Sequence, residues 1–112
     1  MRKALVAAGW AWAGAIVWLS LTPAPPEVDI AQGDKIGHFA AYGLLMFWFA
    51  QLYQGKARVL YALGFIAMGV ALEFIQGALG YRQYDVYDMS ANAIGVLLGW
   101  VAALILPRIR TT

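Results

Sequence analysis

Apolar residues fall into four long runs, at positions 4–21, 36–52, 59–79 and 89–106, separated by three short segments that hold most of the charge. Each run approaches the ~20 residues with which a helix crosses a bilayer core. A soluble four-helix bundle needs a polar stripe on every helix, and the first and fourth runs have none. The pattern therefore predicts an all-α membrane protein: four transmembrane helices in a compact antiparallel bundle, forming one domain over residues 1–112. A cleaved leader is a weaker reading of the first run, which is long for one and contains Trp10, Trp12 and Trp18.

Composition agrees with lipid as the solvent. Hydrophobic residues make up 62% of the 112 positions, more than a chain this short could bury in water. The mean hydropathy is +0.66. Charge then sets an orientation. Arg2 and Lys3 precede the first run, Lys56 and Arg58 lie between the second and third, and Arg108 and Arg110 follow the fourth. These three places share one side of a four-span protein, and the positive-inside rule makes it the cytoplasm. Both termini are expected there, in a multi-pass membrane protein. The basic pI reflects these anchors and carries no nucleic-acid signal. With no cysteine in the chain, thiolate catalysis and cysteine metal sites are excluded.

The segment from 22 to 33 contains Pro23, Pro25 and Pro26 and cannot continue a helix. The short second loop makes the second and third runs neighbours in an antiparallel hairpin. Small residues suggest contact faces: Ala7, Ala11 and Ala15 in the first run, Gly69 and Gly77 about Glu73 in the third, and Ala91, Gly95, Gly99 and Ala103 in the fourth. Such stripes let helix backbones approach in lipid. The Gly95/Gly99 face is expected to serve packing within the chain or a homo-oligomer.

Polar residues gather at the external ends of the runs. Asp34, His38 and Tyr42 share a stripe of the second run, Gly69, Glu73, Gln76 and Gly77 a face of the third, and Asp88, Asn92 and Gly95 a face of the fourth. An ionised group within a bilayer costs ~2.5–3.5 kcal/mol on insertion scales, so these faces should meet one another. Three chemistries fit. Glu73, with His38 and Asp88, could transfer protons. Lys35, Arg82 and His38 could hold a phosphate or carboxylate. Asp34, His38, Glu73 and Asp88 could hold a divalent cation, although one histidine without HxxxH spacing makes a weak metal set, and no metal or cofactor is expected. The structural alternative is a network of salt bridges and amides that fixes the bundle.

At these residues the chain resembles the VanZ-like family of small bacterial membrane proteins, named for a teicoplanin-resistance protein. The matching pieces are Asp34-Lys35-x-x-His38-x-x-x-Tyr42, Glu73-x-x-Gln76 and Arg82-x-x-Asp85-x-x-Asp88-x-x-x-Asn92-x-x-Gly95, with Ser20-Leu21-Thr22-Pro23 at the end of the first run. They occur in the family's order and intervals over roughly residues 15–100. The resemblance implies a multi-span domain with these polar residues and a loose link to glycopeptide resistance, but no reaction.

The functional expectation is an outward-facing polar pocket that binds, and could modify, an envelope lipid or lipid-linked precursor. Its proton-transfer candidates are Glu73, His38 and Asp88. Its binding candidates are Asp34, Lys35, Tyr42, Gln76, Arg82, Asp85 and Asn92. Two readings of other classes stay open: a non-enzymatic structural or accessory protein, and a small ion-coupled carrier built from oligomers. Membrane lipids are the expected partners in all three.

Overall fold

The computed structural model describes residues 1–21, 33–79 and 86–106, with side chains at 1–21, 36–79 and 89–106. Four helices account for them: α1 (Arg2–Leu21), α2 (Gly33–Leu52), α3 (Lys56–Leu79) and α4 (Val86–Ile105). Each begins two or three residues ahead of its apolar run. Hydropathy marks where side chains turn greasy, whereas backbone hydrogen bonding continues into the charged flank. At 1.5 Å per residue the helices are about 30–36 Å long. Two of them, α1 and α3, are long and apolar enough to cross a membrane; α2 and α4 carry the shorter apolar stretches Ile36–Leu52 and Met89–Ile105.

Consecutive helices alternate in direction, but the tightest pair is not consecutive. A Cβ on Gly95 would lie 2.7 Å from the Phe39 carbonyl oxygen, and one on Gly99 would run into the Gly43 carbonyl and lie 3.0 Å from the Phe47 nitrogen. Numbering rises together on both sides of this contact, so α2 and α4 run parallel with their backbones touching. Alternation makes these two helices parallel in an antiparallel bundle; what the hairpin reading does not give is their direct contact, which comes from backbone approach through glycine. The face considered for a second copy of the chain is covered by α2. Gly43, on the opposing helix, supplies the reciprocal gap.

α2 is the central helix. Leu45, Met46, Phe49 and Ala50 are fully buried on it, and α1, α3 and α4 all pack against it, while the described parts of α1 and α4 do not touch. Phe49 anchors an aromatic cluster, with ring centroids 4.7 Å from Tyr61, 5.1 Å from Trp10 and 5.3 Å from Phe65. α1 meets this core through Gly9, Ala13 and Ile16. The Ala7–Ala11–Ala15 stripe is not the contact face: Ala7 and Ala11 are exposed. In an all-apolar helix the partner's shape selects the face, and here the Trp48 and Phe49 rings close over Gly9.

Backbone groups at helix ends are satisfied by side chains from elsewhere in the chain. The last four carbonyls of a helix lack an intrahelical donor. At the end of α2, Tyr53 N donates to Phe49 O at 2.9 Å. Arg58 donates through Nε and Nη2 to Ala50 O and through Nε to Tyr53 O. Arg2 Nη2 donates to Leu52 O, with its guanidinium 4.9 Å from the Tyr53 ring centre. Between α2 and α3 the chain turns at Gly55, whose φ of 65° favours a residue without a Cβ. These contacts place the start of α1, the end of α2 and the start of α3 at one end of the bundle, which holds Arg2, Lys3, Lys56 and Arg58.

Candidate functional site

In the half of the bundle away from those cations, α2, α3 and α4 bring polar side chains into the interior. Tyr42, Glu73 and Gln76 are each 2% exposed and Asn92 is 3% exposed. Their helices meet at Gly69. A Cβ there would lie 3.0 Å from Asn92 Nδ2 and 3.3 Å from Tyr42 Cε2, so glycine lets the α4 amide and the α2 phenol ring close onto α3. Glu73 stands one turn further along the same face of α3, near enough for its carboxylate to act electrostatically on the Tyr42 phenol. The adjoining Gly43–Gly95 backbone contact holds Tyr42 and Asn92 in register, since each lies within one turn of it.

Gln76 has a different partner. Its Nε2 donates a 2.6 Å hydrogen bond to the Ser20 carbonyl oxygen in the last turn of α1. All four helices therefore join at this level. Gly77, expected on the Glu73 face, is exposed instead. At about 100° per residue it lies some 80° around the helix from Gly69, whereas Glu73 and Gln76 lie within about 40° of it.

His38 is half-buried on α2, one turn before Tyr42. Asp34, Lys35 and Asp88 fall within α2 and α4, but their side chains lie outside the described residues, as do Arg82 and Asp85 altogether. Among the sequence candidates, the structure thus brings together Tyr42, Glu73, Gln76 and Asn92. Among the described residues no three of His, Cys, Asp and Glu gather as a metal site. Gln51, 2% exposed near the basic end of α2, is a buried amide that sequence reasoning passed over. Its only signal was its place one turn after Phe47, which does not distinguish it from a surface glutamine.

Asn92 Oδ1 is buried and accepts no hydrogen bond from the described residues. An unmet acceptor in a dry interior costs ~1–3 kcal/mol, which singles this atom out within the cluster.

A model of the family described as VanZ/LLP1 matches residues 5–107, which takes in α2, α3, α4, all of α1 but its first three residues, and the four clustered residues. The chain belongs to the VanZ/LLP1 family. One relative is a protein of Schizosaccharomyces pombe whose name says only that it is uncharacterized; it is 32% identical over 77 residues, covering 65% of this chain and 48% of its own length. The chain thus spans about half the length of that relative. No solved structure matches. For the VanZ/LLP1 domain, therefore, the site's chemistry is read from these residues themselves.

Proposed function

We propose that this VanZ/LLP1 protein is a four-span protein of the bacterial inner membrane, with both termini cytoplasmic, whose polar cluster binds the headgroup of an envelope amphiphile. The observation that carries this reading is the inversion of polarity. A carboxylate, three amides and a phenol are buried, while Trp18, Leu60, Leu63, Leu104 and Ile105 are each at least 60% exposed. Such a surface suits lipid, and side-chain capping of helix ends suits a solvent with no hydrogen bonds to offer. Arg2, Lys3, Lys56 and Arg58 at the other end favour a cytoplasmic assignment there, which turns the polar cluster outward.

Within this reading Glu73 is the proton-transfer or ligand-contacting acid, His38 and Asp88 are its partners, and Lys35 and Arg82 are anion contacts at the mouth. Gln76, engaged by α1, holds the site together. The test is a pair of variants, Glu73→Gln and His38→Ala, expressed at wild-type level in a strain lacking the protein and grown under envelope stress. Both are expected to insert and fold but to restore nothing. Full rescue by both sinks the site.

A further inference from the structure

The end of the bundle opposite the polar cluster collects cations without collecting acids. Arg2 and Arg58 are fixed there within one turn of α2, Arg2 through Leu52 O and Arg58 through Ala50 O and Tyr53 O. Lys3 follows Arg2 in the first turn of α1, Lys56 opens α3 two residues before Arg58, and both lysines are exposed. The chain's six carboxylate side chains stand at positions 27, 29, 34, 73, 85 and 88. None belongs to the first turn of α1 or α3 or the last turn of α2 or α4, so nothing in these turns neutralises the cations. The two guanidinium groups are partly offset by the carbonyls they cap, since a helix C-terminus carries about half a negative charge. The lysines, on the first turns of α1 and α3, have no such offset.

Beside the cations the surface is apolar. Ala4 in α1 and Val59, Leu60 and Leu63 in α3 are exposed within two turns of Lys3 or Lys56. Because α4 runs parallel to α2, its exposed Leu104 and Ile105 reach the same end. An acidic peptide or a nucleic acid would match the lysines and leave these side chains in water. An anionic amphiphile matches both, with its phosphate at the lysines and an acyl chain along the aliphatic residues. A zwitterionic headgroup offers the same phosphate but brings a cation of its own, so net charge distinguishes the two.

We propose that Lys3 and Lys56 mark a second lipid site, a collar at the basic end of the bundle that retains an anionic phospholipid by its phosphate. The inference rests on the four-span reading above but uses neither its orientation nor the polar cluster.

The experiment reconstitutes the full chain in nanodiscs of equimolar phosphatidylglycerol and phosphatidylcholine with the same acyl chains, then measures by mass spectrometry the lipid retained after transfer to detergent. A basic residue beside a charged lipid is worth about fivefold, so wild type should retain phosphatidylglycerol over phosphatidylcholine by at least about tenfold. Lys3→Gln with Lys56→Gln should cut that ratio about tenfold, Lys3→Arg with Lys56→Arg should keep it, and about 1 M NaCl should shrink it in wild type. Equal retention of the two lipids by wild type, or an unchanged ratio in the glutamine pair, overturns the proposal. So does complete displacement of phosphatidylglycerol by excess glycerol phosphate, which would make the collar a site for a soluble anion. Both nanodisc leaflets carry the same lipids, so the result does not depend on which way the chain inserts. A chain that does not enter nanodiscs contradicts the four-span reading and this site together, whereas an inserted chain without the preference contradicts this site alone.

Discussion

Gln76 on α3 caps the end of α1: its Nε2 lies 2.6 Å from the Ser20 carbonyl oxygen. That carbonyl belongs to the final turn of α1, where no intrahelical donor is available. Gln76→Leu keeps the volume and removes the donor, leaving a buried acceptor unmet. A loss of ~1–3 kcal/mol is expected, read as a lower melting temperature in detergent. Gln76→Glu should lose as much, since a carboxylate repels the carbonyl it would face. Unchanged melting in both variants would show that the cap contributes nothing.

At the opposite end Arg58 bridges the Ala50 and Tyr53 carbonyls. Arg58→Ala should lower stability by ~1–2 kcal/mol, combining lost hydrogen bonds with a lost cation at the end of α2. Arg58→Lys is expected to recover less than half, because an ammonium lacks the planar fork that reaches two carbonyls. Thermal unfolding of the three proteins in one detergent checks the order. Full recovery by lysine would mean that charge alone matters.

Gly99 faces the backbone of α2, where a Cβ would collide with the Gly43 carbonyl, whereas Gly64 has open space beside it. Gly99→Ala should therefore force α2 and α4 apart and cost ~1–3 kcal/mol. Gly64→Ala should be neutral or slightly stabilising through helix propensity. Equal effects in a melting comparison would remove the argument that α2 and α4 touch through glycine.

How far the sequence reveals this arrangement depends on whether a position's chemistry restricts its surroundings. Glu73, Gln76, Asn92 and Tyr42 were legible because polar groups at helical spacing in greasy runs have few stable places. The Ala91–Gly95–Gly99–Ala103 stripe was legible for a similar reason, since a run of missing side chains invites a backbone. The face of α1 was not. Its residues are nearly uniform in hydropathy, so their period carries no phase, and the choice of Gly9 over Ala7 is made by Trp48 and Phe49 on another helix. Arg2 and Arg58 were read as charges that orient the chain, while their role as caps of α2 depends on where that helix ends in space. Close contact of α2 with α4 likewise follows from Gly43 meeting Gly95 and Gly99, a long-range match that neither segment announces alone.

The proposed four-span topology has an inexpensive test because the chain has no cysteine. Single cysteines at Ala57 and Tyr84 should react with a membrane-impermeant maleimide from opposite sides, Ala57 only after the cytoplasmic face is opened. Labelling of both from one side would reverse the orientation argument and remove the outward-facing site.

The central claim, that the buried polar cluster holds a headgroup, is tested most directly by the amphiphile that copurifies with the protein. Wild type and Glu73→Gln, purified in parallel from the same membranes and matched for helical content, are compared by mass spectrometry of the extracted lipid. A defined species retained near one per chain by wild type, and reduced at least about tenfold in the variant, is the predicted result. The same lipids in the same amounts from both proteins would contradict it.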